Sequence, residues 1–220
     1  MRVAVTQFPG SNCDIDTLHV LTNILKVDAK LIWHNDFDSS SWDAVVLPGG
    51  FSFGDHLRAG IIAAHSSAIE TVRRIADEGK PVLGICNGFQ ILIEAGLLPG
   101  ALLRNACLKF VCKWVNLQVE TDRTAFTCAF DGDTKIRMPI AHNEGRFFAD
   151  GDLLDRLTDE GRVVMTYSGE NPTGTLRGIA AVSNEGGNVV GMMPHPERAS
   201  DLALGGADGL RVFESMLKWH

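Results

Sequence analysis

Pro81-Val82-Leu83-Gly84-Ile85-Cys86-Asn87-Gly88-Phe89-Gln90 decides how the rest of the chain is read. The apolar run Val82 to Ile85 has the length and composition of a buried strand. It ends in Gly-x-Cys-x-Gly and passes into a helical pattern from Phe89 to Ala95. A strand turning sharply into a helix, with a nucleophile at the turn, is the layout of a nucleophile elbow. Here Cys86 stands in the serine position. Gly84 and Gly88 have no Cβ, so strand and helix can close on each other around a strained turn. Such a turn lifts the thiol above a helix N-terminus, where free N–H groups and the helix dipole favour an anion. Most free cysteines are small buried apolar residues. The flanking glycines and the strand-to-helix switch set Cys86 apart from them.

Working outward, strand patterns alternate with helical ones. Arg2 to Thr6, Ala29 to Trp33 and Asp43 to Leu47 read as strands. Asp14 to Val27 reads as a helix with Ile15, Leu18, Leu21 and Leu25 on one stripe. Leu57 to Asp77 reads as a long helix turning Ile61, Ala68, Ile69, Val72, Ile75 and Ala76 inward. This alternation predicts βαβ units and an open, mostly parallel sheet with flanking helices. After Leu108 the pattern changes to strand-like alternation as far as Glu120, followed by short strands at Lys135 to Ile140, Val163 to Tyr167 and Ile179 to Ser183. These add a few antiparallel strands. A short helix is expected at Asp152 to Thr158 and a last amphipathic helix from Asp208 to Trp219. The expectation is one domain over residues 1–220, with no repeat or linker.

A thiol nucleophile needs a base, and the base needs an orienting group. Met192-Met193-Pro194-His195-Pro196-Glu197-Arg198 follows a strand candidate, Asn188 to Met193. Pro196 stiffens the turn and holds His195 and Glu197 at a fixed offset, imidazole to take a proton and carboxylate to fix its tautomer. His-Pro-Glu alone is a common surface turn; the elbow upstream gives it meaning. Pro48-Gly49-Gly50-Phe51-Ser52-Phe53-Gly54-Asp55 follows a strand, so backbone N–H groups can face a developing oxyanion. The Gly50 N–H, with the Asn87 N–H just after the nucleophile, are the donors expected. The three sites lie at strand carboxyl ends, where open α/β sheets bind ligands.

The chain has 220 residues, 45% of them hydrophobic, with a formal net charge of −7, the profile of a globular domain. No basic stripe with interleaved aromatics points to nucleic acid. No apolar run approaches the length of a membrane span. Five cysteines, scattered and odd in number, in a chain without a secretory pattern, predict reduced thiols and a cytoplasmic setting. Cys107 and Cys112 lack a second ligand pair, so no metal site is expected. His195-x-Glu197 also occurs in zinc deaminases, but no Cys follows Cys128 to complete that set. No phosphate-binding glycine motif is present, so the chain can split an amide or ester but cannot drive an ATP-dependent reaction by itself.

Together these residues resemble the class I, triad-type glutamine amidotransferases, whose sheet is flavodoxin-like. The match runs nearly end to end. It is carried by Pro9-Gly10-Ser11-Asn12-Cys13-Asp14, Leu47 to Asp55, Gly84 to Gln90, Pro139-Ile140-Ala141-His142-Asn143-Glu144-Gly145-Arg146 and Met192 to Arg198. Gly-Gly-Phe-Ser and the long Met-Met-Pro-His-Pro-Glu-Arg point to the branch serving the fourth step of purine biosynthesis. The resemblance implies that Cys86 attacks the side-chain amide of glutamine, with His195 as proton shuttle and Glu197 as its orienter. It implies that Gln90, Phe51, His142, Glu144, Gly145 and Arg146 face the substrate. From the residues alone, the last four form either a zwitterion-binding loop or a solvated charged turn. The resemblance further implies no cofactor on this chain. It also implies that ammonia passes to a synthetase subunit that binds ATP with Mg2+ and formylglycinamide ribonucleotide, and that a small third subunit helps assembly. Asn143, Thr173 and Thr175 depart from the pattern of the branch, away from the triad. Glutaminases serving other pathways, a cysteine hydrolase of the same sheet type, and an inactive scaffold are the rival readings.

Overall fold

In a computed structural model, residues 1–38, 42–131 and 134–219 are described. The strands are β1 (Arg2–Gln7), β2 (Asp28–Trp33), β3 (Ala44–Leu47), β4 (Val82–Ile85), β5 (Ala101–Leu103), β6 (Val111–Val119), β7 (Lys135–His142), β8 (Arg146–Phe148), β9 (Val163–Tyr167), β10 (Ile179–Ser183) and β11 (Val189–Met192). The helices are α1 (Asp14–His19), α2 (Ile61–Ala64), α3 (Ser67–Asp77), α4 (Asn87–Glu94), α5 (Gly151–Asp159) and α6 (Leu210–Lys218). A nine-stranded mixed sheet runs β2-β1-β3-β4-β11-β10-β9-β6-β7. The β2-β1-β3-β4-β11 half is parallel, and the pairings from β11 to β7 are antiparallel. A separate antiparallel pair, β5 and β8, leaves no mark in the sequence pattern.

Buried parallel strands are apolar on both faces, and β3 and β4 are buried at every residue. Glycine sets how closely α4 can lie on them. Gly84 faces Gly191 across the β4–β11 register and pairs with Leu47 on the other side. A Cβ on Gly191 would stand 2.0 Å from the Phe89 ring, and one on Gly84 would stand 2.6 Å from Leu92 Cδ1. Phe89, Leu92 and Ile91 therefore bury fully against a floor without side chains.

Two helical readings are corrected. The stripe from Asp14 to Val27 is regular helix only to His19 and continues as a wider turn over Val20–Ile24. Ile15 and Leu21, placed on one stripe, part company: Ile15 is exposed and Leu21 is buried. The pattern from Leu57 to Asp77 is two helices, broken at His65 and Ser66, and Leu57 itself is exposed with φ 70°. Helical periodicity does not reveal a backbone that must leave the αR region to form a loop.

Candidate active site

The elbow has the geometry that its glycines suggest. Cys86 is the N-cap of α4 with φ 51° and ψ −101°, a left-handed conformation that costs a non-glycine residue energy. Its N–H donates to the Met192 carbonyl at 2.7 Å, and the Gln90 N–H closes the first helical turn onto the Cys86 carbonyl. The thiol donates to the Ala141 carbonyl oxygen at 3.8 Å. Cys86 is 5% exposed, and that small window opens into a pocket.

His195 and Glu197 arrive from the carboxyl end of β11, the strand beside β4. The His195 N–H donates to the Pro139 carbonyl at 2.9 Å, which ties the turn to β7. His195 Nδ1 lies 2.6 Å from Glu197 Oε1, with both side chains buried. Burial works against charge on this imidazole. The Glu197 carboxylate and the neighbouring Cys86 outweigh it and raise the His195 pKa well above the ordinary range. His195 Nε2 is buried and has no hydrogen-bond partner among the described residues.

A second thiol shares this imidazole. Cys13, buried at the head of α1, forms a cluster with His195 and Glu197 whose donor atoms lie within 4.8 Å of one another. Thiolate, imidazole and carboxylate could grip a soft cation. The Arg198 guanidinium already fills that role, donating to Cys13 Sγ at 3.0 Å and lying 3.9 Å from Glu197 Oε1. Of the two thiols beside His195, Cys86 lines the pocket and Cys13 does not.

That pocket, ≈ 280 Å³, is lined by Gly50, Phe51, Asp55, Cys86, Gln90, Arg104, Ala141, His142, Asn143 and Glu144. Gly50 reaches it because the loop after β3 is folded onto Gly10 to Asn12, where a Cβ would come within 2.6 Å of the Gly10 carbonyl oxygen. Asn87 is buried, and its side chain is a clasp. Oδ1 accepts the Ser52 N–H, and Nδ2 donates to Asp55 Oδ1 at 3.2 Å and to Gln90 Oε1 at 2.9 Å. Gln90 Nε2 in turn donates to the Glu144 carbonyl at 2.7 Å. Burial first, then nearby His195, lower the His142 pKa to about 3, so this ring is neutral.

Two residues expected in the pocket lie elsewhere. Gly145 sits under the His142 ring, where a Cβ would come within 2.0 Å, and its N–H donates to Asn105. Arg146 opens β8 and pairs with Leu103. The cation of the pocket lining is Arg104, which lies 3.6 Å from Glu144. Asp55 lines the pocket although the sequence marks it only as the end of the glycine-rich stretch after β3. Asn105 carries no sequence signal at all, yet its buried amide staples the His142 carbonyl and the Gly145 N–H. Thr175 fits its position, bonding to the Phe147 N–H and the Ile179 carbonyl. A larger cleft, ≈ 500 Å³, lies behind the dyad against Glu197, Arg198 and Trp114 but does not include Cys86. All five cysteines are free, and no helix among the described residues is long and apolar enough to cross a membrane.

A thiol on an elbow, a buried imidazole–carboxylate dyad and a polar pocket together suit amide hydrolysis through a thioester. Similarity to known proteins points the same way. Residues 1–219 match the CobB/CobQ-like glutamine amidotransferase domain, and the chain belongs to that family. The chain is also 46% identical to a chain of PurLQS from Thermotoga maritima, covering 99% of this chain and 97% of that one at a TM-score of 0.91. A putative GMP synthase component from Thermoplasma acidophilum is 18% identical, covering 99% and 92% at a TM-score of 0.64. The glutaminase domain of Trypanosoma brucei CTPS, solved with bound acivicin, is 13% identical, covering 100% and 95% at a TM-score of 0.64. The last two share the fold.

Proposed function

We propose that this chain is the glutaminase subunit of phosphoribosylformylglycinamidine synthase, releasing ammonia from glutamine for de novo purine biosynthesis. The observation that carries the chemistry is the strained Cys86 at the head of α4, open to the pocket and beside the His195–Glu197 dyad. The pathway rests on the 46% identity to the PurLQS chain over nearly the full length of both.

In this mechanism Cys86 Sγ attacks the side-chain amide carbon of glutamine while His195 Nε2 takes the thiol proton. The carbonyl oxygen becomes an oxyanion, received by the N–H groups of Gly50 and Asn87. Collapse breaks the carbon–nitrogen bond. His195 gives its proton to the leaving nitrogen, and ammonia departs from a γ-glutamyl thioester. Water then adds to the thioester, His195 takes its proton, and glutamate leaves as the thiol is restored. Glu197 holds the ring through Nδ1 and stabilises the imidazolium formed at each step. Gln90, Phe51, His142 and Glu144 shape the substrate site.

Ammonia goes to a synthetase subunit that binds ATP, Mg2+ and formylglycinamide ribonucleotide, and a small third subunit helps assemble the complex. The chain works in the cytoplasm, where free thiols persist. The test is glutamine hydrolysis by wild type and Cys86→Ala, each with and without the synthetase subunit, ATP, Mg2+ and formylglycinamide ribonucleotide. Activity that rises with the partner and vanishes in Cys86→Ala is the expected result. Activity that survives Cys86→Ala would refute the nucleophile. Cys86-dependent activity indifferent to this partner would refute the pathway.

A further inference from the structure

Asp55 lines the same pocket as Cys86 and stands apart from the His195–Glu197 dyad in the proposed mechanism. We propose that it receives the α-ammonium group of the substrate and thereby separates glutamine from amides that lack an amino group. The inference rests on the glutaminase reading above and extends it to a specificity-determining residue.

The loop that carries Asp55 is strained. Phe53, Asp55 and Leu57 all have positive φ, at 53°, 51° and 70°. Three non-glycine residues in the left-handed region within five positions is a costly backbone, and such strain persists only where surrounding contacts over-determine it. Those contacts are present. The Asn87 amide donates to Asp55, the Gly60 N–H reaches the same carboxylate, and Arg58 pairs with Glu94 at the far end of α4. A Cβ on Gly60 would come within 2.8 Å of the Ile91 N, so this loop is pressed onto the helix that carries the nucleophile. The strain holds one carboxylate at the pocket wall.

Charge gives that carboxylate its purpose. Two acids line the pocket, Asp55 and Glu144, with Arg104 as the cation. Glu144 has its counter-charge in Arg104, at 3.6 Å. Among the described residues no basic side chain lies within ion-pair distance of Asp55, whose partners are the neutral Asn87 amide and a backbone N–H. Partial burial, and then the charge of Glu144, raise the Asp55 carboxyl to about 6. An unpaired acid held near a second acid is a poor arrangement in an empty pocket and a favourable one once an ammonium sits against it. The other end of a glutamine molecule then points its amide toward Cys86 and Gln90.

The experiment compares two substrates on the full chain by ammonia release: glutamine and 4-carbamoylbutanoate, which is glutamine without its amino group. Asp55→Asn keeps the oxygen that accepts from Asn87 and removes the charge. A lost charge-assisted hydrogen bond raises the KM for glutamine by about 10- to 100-fold. The KM for 4-carbamoylbutanoate should stay within about twofold, because that substrate never used the contact. Turnover of the second substrate also reports that the elbow is intact in the variant. A KM that moves equally for both substrates, or for neither, overturns the role of Asp55 while leaving the glutaminase reading standing. A wild type that does not hydrolyse glutamine overturns that reading and this inference with it.

Discussion

Alanine at Gly88 tests whether the close approach of α4 to β3 is what makes the elbow. An ideal Cβ there would stand 2.0 Å from the Leu47 carbonyl oxygen, 2.7 Å from its carbon and 2.9 Å from its Cβ. Real carbon contacts need more than about 3 Å, so strand and helix must separate by about 1 Å. Neither partner yields cheaply. Leu47 is in register with Gly84 of β4, itself only 2.7 Å (measured from its ideal Cβ) from the Gly88 carbonyl, and α4 buries Phe89, Ile91 and Leu92 on the sheet. The cost should reach the upper end for overpacked cores, about 3 kcal/mol. That is roughly a hundredfold in the ratio of folded to unfolded protein. Catalysis should suffer separately, since a 1 Å displacement of a reacting group can cost about a hundredfold in rate.

The assay is urea unfolding followed by tryptophan fluorescence, paired with glutaminase turnover well below the unfolding midpoint. Gly151→Ala is the control. Its Cβ meets nothing within 4 Å, and it opens helix α5. It should be neutral or stabilising by about 0.5 kcal/mol. If Gly88→Ala unfolds at the same urea concentration as the control and keeps its turnover, the reasoning that ties the elbow to this contact is wrong.

Other expected outcomes concern the site. Cys13→Ala should keep most glutaminase activity, whereas Cys86→Ala should lose it by about a thousandfold or more, which decides between the two thiols flanking His195. Glu197→Gln should lower kcat by about a thousandfold with little change in glutamine KM, because the ring loses the group that fixes its tautomer; steady-state kinetics on folded protein checks this. The glutamine KM of wild type should climb as pH falls through about 6, where Asp55 takes a proton, and the KM of Asp55→Asn should not; Glu144 and Arg104 are common to both proteins, and His142 is neutral throughout. Stability should run the other way. The folded Asp55 holds its proton up to about 6 and the unfolded one releases it near 4, so wild type loses stability as pH rises across that window. Asp55→Asn loses none there and should be more stable at neutral pH by about 1 kcal/mol, after discounting for the solvent that reaches this half-buried group; urea midpoints at several pH values read it.

What can be read from the sequence follows from how local its cause is. β4 and β10 fall where the apolar runs place them, because a strand buried on both faces is a contiguous apolar segment. The elbow is legible because a strand, a turn and a helix start are written consecutively around Cys86. The dyad is legible because Pro196 fixes His195 and Glu197 at short range. Residues whose role depends on a distant partner are not. Arg104 displaces Arg146 as the cation of the pocket because β8 turns Arg146 into a strand pair with Leu103, a contact that spans more than forty positions. Asp55 stands in a stretch already marked for its glycines, and only the fold brings it to Asn87 and Glu144. Leu57 looks like the first turn of a helix because its side chain is apolar, and the strained loop it belongs to leaves no periodic trace.

Asn87 connects these parts, because its amide accepts at one atom and donates at the other. Its oxygen accepts the Ser52 N–H and so fixes the loop that presents Gly50 to the pocket. Its nitrogen donates to Asp55 and to Gln90. An aspartate here could take the Ser52 N–H but would set a third acid against Asp55 and Glu144. A leucine would fill the space and leave Ser52, Asp55 and Gln90 without the partner, with a penalty of about 1–3 kcal/mol for each buried group stranded. In the proposed mechanism this one side chain joins the Gly50 loop, assigned to the oxyanion, to Asp55, assigned to the amino group, so the two ends of the substrate site are coupled through a single residue. Under the proposed roles, binding energy collected at the amino group also helps hold the Gly50 loop in place at the moment of attack, a use of remote contacts that adds to the KM effect at Asp55.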